Sequence, residues 1–600
     1  MAKVMKREEQ RLEDTWDLTT IFESDEAFET ALKDVEKYLD SAEKFKVGID
    51  SKEMLLEALE TEREISVAVR KVYIYAHLKH DQDTSNDKYT AMEGRVRSIL
   101  IKINTAWSFL TPAIMNIDED TLREWAEDPS LSEFKFDLEK LNKTRAHVLS
   151  DKEESILAQA GEVMSTPTQT FSMFNNADLE FPDVTDKDGN THALSQGTFI
   201  DHLKSEDRVL RESAYENLYS TYRKFENTIS STLQGVVSAH AFEARVRGYN
   251  SSRHQALSRN FIPETVYDNL VKTVNDNLPL LHKYTELRKR ILGLDELKMY
   301  DMYTPLVKDV EFDMTYENAK EWMLKSLEPM GTEFTDIVKE GLENRWVDVY
   351  ENKGKRSGAY SSGTYGTNPY ILMNWTDSVN NLFTLTHEFG HSVHSYLSRK
   401  YQTANQSGYS IFVAEVASNF NEALLADYMM KNLDDDKKKM YLLNEQLDGF
   451  RGSVFRQTMF AEFEHEIHTM KEAGTPLTAG TLNKLYGELN KKYFGDAVSY
   501  DDNIASEWAR IPHFYMNYYV YQYSTGYAAA QTLADQVLNG GTEVAERYIN
   551  EFLKKGSSDY PINVLKNAGV DMTTTEPIES AMKVFERQLN ELEALLDKAE

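Results

Sequence analysis

Thr386 to Ser395 reads T-H-E-F-G-H-S-V-H-S and holds three of the chain's 14 histidines within eight residues. At about 100° per residue, a helix would set His387 and His391 only about 40° apart, one turn along the same face. Leu385, Phe389, Val393 and Tyr396 would gather on the other side. The stretch therefore predicts a helix with an apolar back in the core and a polar front on a cleft. His387, Glu388 and His391 satisfy H-E-x-x-H, in which two imidazoles can bind one cation with a carboxylate beside them.

Two histidines leave a catalytic zinc incomplete, because such a site generally takes three protein ligands and keeps a position for water. The sequence contains no cysteine, so the third ligand must be histidine or a carboxylate. The metzincin extension is absent, since the positions it needs are His394 and Leu397 here. Downstream, G-Y-S-I-F-V-A-E-V-A-S-N-F-N-E-A-L-L-A, residues 408–426, reads as a second helix with Glu415, Ser418 and Glu422 on one face. A turn through Ser398 to Ser407 would fold it back on the first helix, and Gly390 would permit close approach. Glu415 is then the expected third ligand. Glu422 is expected to accept a hydrogen bond from the far nitrogen of a ligating histidine. His394, a turn beyond the pair, reads as a cleft or outer residue. A rival cluster, F-E-H-E-I-H at 463–468, lacks the H-E-x-x-H order, so His465 and His468 read as helix-surface or structural residues.

At 600 residues the chain is long enough for more than one structural unit. Only 27 glycines and 13 prolines interrupt it, which predicts a mostly α protein. Phe28, Leu32, Val35 and Leu39 mark an early helix with Ser24 as its cap, and similar patterns continue to about residue 170. Residues 176–195 carry Asp188-Gly189 between short β-like segments and predict a hairpin rather than an ion-binding loop. Residues 354–375, G-K-R-S-G-A-Y-S-S-G-T-Y-G-T-N-P-Y-I-L-M-N-W, read as loop and then strand, a place where an extended peptide could pair backbone to backbone. The D-D-D-K-K-K run at 434–439 reads as a solvated helix start. A last helix is expected after Pro577, with Met582, Phe585, Leu589, Leu592 and Leu596 buried. The expected division is an N-terminal helical region at 1–200 and a catalytic region at 201–600.

A formal charge of −32 opposes docking on nucleic-acid phosphates or anionic lipid. No run approaches the roughly 18 apolar residues of a membrane span. The opening M-A-K-V-M-K-R-E-E-Q lacks a signal peptide's apolar core. A cytoplasmic protein with neither nucleic-acid nor membrane partners is the expectation, with the oligomeric state left open.

H-E-F-G-H, followed 24 residues after its second histidine by E-x-x-S-x-x-x-E, resembles the thimet-oligopeptidase superfamily of zinc peptidases, and within it the oligoendopeptidase F family. The resemblance extends to T-W-D-L at 15–18, to S-G-A-Y and P-Y-I-L-M-N-W, and to R-I-P-H-F-Y-M-N-Y-Y-V-Y-Q-Y-S-T-G at 510–526. It implies a nearly all-helical, two-lobed body around a deep channel. It implies one Zn2+ per chain on His387, His391 and Glu415, with Glu388 as the general base of peptide hydrolysis. The substrates implied are short unstructured peptides cut at internal bonds. His513 matches a family histidine that donates to the oxyanion, and Tyr515 and Tyr519 are the favoured tyrosine donors, because oligoendopeptidase F sequences often carry Phe at the position of Tyr518. Two readings compete: a peptidyl-dipeptidase releasing C-terminal dipeptides, and a zinc-stabilised peptide-binding protein without catalysis. The intact Glu388 argues against the second, because a structural metal needs no base beside it.

Overall fold

A computed structural model describes residues 4–308 and 310–599. It is mostly helical, with seven strands of two or three residues among the described residues. The apolar periodicities seen in the sequence account for the helices. Ser24 caps Asp25–Glu36 by accepting from the Ala27 N–H, and Phe28, Leu32 and Val35 are buried. Leu39 instead falls in a short 3-10 turn, Lys37–Leu39. Asp435 caps Asp436–Phe450, so the charged run is a helix start as expected. The last helix, Glu576–Ala599, buries Met582, Phe585, Leu589, Leu592 and Leu596. Among the described residues no helix is long and apolar enough to cross a membrane.

The chain forms two compact units, each assembled from separated segments. The first comprises Met1–Ala146, Phe312–Met429 and Leu533–Val570; the second comprises His147–Glu311, Met430–Thr532 and Asp571–Glu600. This differs from the expected single boundary near residue 200. Loops and turn residues mark local ends of elements, whereas these units are defined by contacts between segments hundreds of positions apart.

In the first unit, one core joins Trp16, Phe28, Tyr75 and Trp107 to Tyr370 and Leu372. The latter two belong to a three-stranded sheet in which Tyr370–Leu372 is central. Val347–Asp348 pairs with it in parallel and Tyr360–Ser362 antiparallel, so Tyr360–Ser362 is an edge strand. The expected loop-then-strand reading of 354–375 thus holds, with one more strand than the apolar run alone marked. In the second unit the hairpin occurs as expected: Val184–Thr185 pairs with Thr191–His192. Asp186 accepts from the N–H groups of Asp188 and Asn190 and Gly189 takes a positive φ, which is the geometry of a turn.

A buried ion cluster fixes the sheet. Asp348 is 1% exposed, its two oxygens receive Arg7 at 2.8 and 2.5 Å, and Lys355 Nζ lies 2.7 Å away. Burial alone would raise the Asp348 carboxyl, but the Arg7 hydrogen bonds and the two cations outweigh it and hold the group below the ordinary aspartate range. Replacing Asp348 with Asn should leave two cations uncompensated, Lys355 among them fully buried, and destabilise the fold by about 3–5 kcal/mol. Because the folded pKa lies below the unfolded one, Asp348's contribution is complete above about pH 4 and is lost as pH falls through the folded value. Denaturant melts of both proteins at pH 7 and at pH 3 check this: the difference should shrink at the lower pH.

Candidate metal centre

Two helices carry the centre. Ser378 caps Val379–Tyr401, which is longer than the expected helix and runs past Ser398 before the chain turns. Leu385, Phe389 and Val393 are fully buried, whereas His387 and His391 keep partial exposure on the opposite face. Those two histidines sit together as the H-E-x-x-H spacing requires, their ring centroids 4.9 Å apart.

The second stretch differs in one respect from its sequence reading. Instead of a continuous helix, Ile411–Ala414 ends at Glu415 and Val416–Asn432 begins after it, so Glu415 occupies a break. The local wiring explains the break. Ser418 Oγ donates to both the backbone and side-chain oxygens of Glu415 at 3.0 Å, and Asn419 Nδ2 donates to its carbonyl at 2.8 Å. The Glu415 side chain is thereby aimed at the histidines. Gly390 makes the approach possible: a Cβ there would lie 2.6 Å from both the Ala417 carbonyl oxygen and Ser418 Cα.

The resulting donors form a tight triangle. Glu415 Oε2 is 3.3 Å from His387 Nε2 and 3.4 Å from His391 Nε2, and the three donor atoms lie within 4.8 Å of one another. Donors about 2.0–2.1 Å from a tetrahedral zinc are roughly 3.3–3.4 Å apart, so this set fits such a cation. His387 Nδ1 meets Glu422 Oε1 at 2.5 Å, which fixes the tautomer and turns Nε2 toward the triangle. Burial would lower the His387 imidazole, but the hydrogen bonds to Glu415 and Glu422 outweigh it and push it up to about 10. Glu415 is shifted the other way: burial opposes ionisation, yet the two histidines hold it well below the usual carboxylate range. The two shifts are the two sides of one interaction, in which the carboxylates and imidazoles favour each other's charged forms. Among the described residues, His387, His391 and Glu415 form the one group of this kind.

Glu388 is 6% exposed, and its Oε2 has no protein partner. Burial raises its carboxyl, while the histidines and the Ser361 N–H pull it part of the way back. The edge strand lies against this face: Ser361 Oγ is 2.8 Å from Ser392 Oγ. Nothing in the sequence singled out Ser361, because its role comes from pairing with a strand ten positions away. His394 is not a cleft residue. It is 1% exposed and stacked on Tyr409 at 3.9 Å, so it belongs to the packing behind the helix.

His513, Tyr515 and Tyr519 fall in the second unit. Tyr515 is buried, stacked on Phe171 at 4.2 Å, with its hydroxyl 2.7 Å from Thr232 Oγ1. His513 and Tyr519 are half-buried and lie nearly parallel, centroids 6.2 Å apart, with Tyr523 edge-on to both. Tyr523 lies on helix Tyr521–Gly540, which begins after Tyr519, so no helical spacing in the sequence singled it out.

Comparison with known proteins agrees with this arrangement. The sequence profile described as Peptidase family M3 matches residues 202–584, and that of Oligopeptidase F matches residues 114–181. Oligopeptidase PepF of Bacillus subtilis (strain 168) is 54% identical over 594 residues, covering 99% of this chain and 88% of that protein. Group B oligopeptidase PepB of Streptococcus agalactiae is 46% identical, covering 97% of each chain. The crystal structure of oligoendopeptidase-F from Enterococcus faecium has 42% identity and a TM-score of 0.74, covering 96% of this chain and 99% of that one.

Two substitutions probe the centre. Gly390→Ala should separate the helices, cost about 1–3 kcal/mol in stability and weaken metal binding. Glu422→Gln should leave the fold intact and weaken metal binding about 10–100-fold. Thermal melts and competition with a chromogenic chelator would check both.

Proposed function

The chain belongs to peptidase family M3 and is a metalloendopeptidase, and on that premise we propose that it is an oligoendopeptidase using one zinc ion on His387, His391 and Glu415 to cut internal bonds of short unstructured peptides. The donor triangle with Glu388 beside it is the observation that supports this reading most strongly. Two imidazoles and a carboxylate suit zinc, and three protein donors leave a position for water, as catalytic zinc requires. Zinc, when bound, acts as a Lewis acid that lowers the pKa of water from about 15.7 to roughly 7 and polarises a carbonyl.

The protein supplies the rest. Glu388 takes the proton of the attacking water on its unpartnered Oε2 and delivers it to the leaving amine. Its burial suits that task, because a raised carboxyl pKa makes proton acceptance easier. Glu422 keeps His387 in the tautomer that presents Nε2. The edge strand Tyr360–Ser362 offers backbone groups to a peptide laid alongside it, which selects extended chains over folded proteins. We assign the oxyanion donors to His513 and Tyr519. Tyr515, proposed beside them from sequence, has its hydroxyl engaged with Thr232. A cytoplasmic location, suited to a chain without cysteine, completes the proposal.

Glu388→Gln should keep stoichiometric zinc while kcat falls at least about 100-fold. Zinc content by elemental analysis, alongside turnover of a quenched fluorescent peptide, tests this; a zinc-loaded variant with near-normal rate would remove Glu388 from the chemistry. Blocking a peptide's C-terminus as its amide should leave the internal cuts unchanged. Loss of cleavage on amidation would instead mark a peptidyl-dipeptidase.

A further inference from the structure

Tyr518 has a φ of +56°. A bulky residue is strained in the left-handed region, so something must hold it there. Its surroundings in the second unit supply the hold. The Tyr518 N–H donates to Glu464 Oε1 at 2.6 Å. The Tyr518 hydroxyl lies 3.2 Å from His465 Nδ1, and its ring is 4.7 Å from the His468 ring and 5.6 Å from that of Tyr267. His468 is itself pinned, with Nδ1 2.8 Å from the Glu464 carbonyl and Nε2 3.1 Å from His240 Nδ1. The F-E-H-E-I-H segment, on helix Arg456–Glu472, therefore forms the seat of Tyr518.

Glu464 is the unusual member. It is fully buried, meets no cation, and its Oε2 has no protein partner. Burial raises its carboxyl well above the ordinary range, and its one engaged atom accepts a backbone N–H. The chain direction explains why that bond matters. Tyr515 and Tyr518 both point inward and are buried, whereas Tyr519 and His513 lie half-exposed and parallel to each other. Tyr518 and Tyr519 face opposite ways across this left-handed turn.

We propose that Glu464 is a positioning residue: by accepting the Tyr518 N–H it holds the left-handed turn that presents Tyr519 and His513 together as hydrogen-bond donors. The inference rests on the proposal that these two residues serve the oxyanion. An apolar side chain at 464 would leave a buried N–H unpaired, a cost that adds to the backbone strain already present and favours release of the turn.

Three zinc-loaded variants test this. Glu464→Gln keeps a neutral acceptor and should retain kcat. Glu464→Leu removes the acceptor and should lower kcat about 10–100-fold with little change in KM, the size expected when a reacting group is displaced by about 1 Å. Adding Tyr519→Phe to Glu464→Leu should cost less than the product of the two single losses, because both remove the Tyr519 donor and only the displacement of His513 is left to add. Glu464→Met serves if the Leu variant does not fold. NMR of labelled histidine gives a readout independent of turnover: the His513 resonances should shift in the Leu variant and stay in place in the Gln variant. Unchanged kcat in the Leu variant, equal losses in Leu and Gln, or losses that multiply with Tyr519→Phe would each overturn the proposal. If Tyr519→Phe alone keeps the full rate, the donor reading fails, and the positioning role then stands or falls on the His513 resonances.

Discussion

The centre depends on one close approach, the passage of the Ala417–Ser418 backbone over Gly390 with no side chain between them. A metal site built from one helix could offer only two ligands one turn apart; the third must come from a neighbour held within a few ångströms. Gly390, lying between Glu388 and the second histidine in sequence, is where that neighbour passes. The break at Glu415 then directs its side chain at the histidines rather than along a helix face, with Ser418 and Asn419 bracing it. Backbone proximity and polar bracing together give donor separations that match the needs of a tetrahedral cation.

The same helix performs three tasks on different faces. Its buried Leu385, Phe389 and Val393 anchor it, His387 and His391 contribute two donors to the triangle, and Glu388 with Ser392 meets the edge strand. A rigid element suits this, because it keeps Glu388 at a fixed distance from the donor triangle. The strand is held in turn by a sheet whose other edge is tied down through Asp348, Arg7 and Lys355. Buried charges on one edge of the sheet thus help fix the strand on its other edge.

Much of this was legible in the sequence because it is local. The H-E-x-x-H spacing, the apolar back of its helix and the caps at Ser24 and Asp435 follow from periodicity and side-chain chemistry within a few turns. Glu415 and Glu422 were legible one step further, since both lie on the next segment and only a fold-back is needed. The break at Glu415 was not, because the segment is apolar and helical in composition on both sides. The discontinuous units, the role of Ser361 and the burial of His394 against Tyr409 were hidden for another reason: each is decided by a contact distant in sequence. The aromatic run from Trp508 to Tyr527 shows the limit most plainly, for its tyrosines are alike in sequence and differ only in whether a buried partner such as Thr232 or Glu464 claims them.

The central claim is that a zinc ion in this triangle makes the protein an endopeptidase for unfolded chains. The most direct measurement is digestion of a mixture of unstructured peptides and one folded protein by the native, chelated and zinc-restored enzyme, with products identified by mass spectrometry and metal content determined in parallel. Internal cuts should appear in the peptides alone, be lost on chelation and return as zinc is restored to one per chain. Cleavage that survives in metal-free protein, or none from protein carrying one zinc per chain, would contradict the claim.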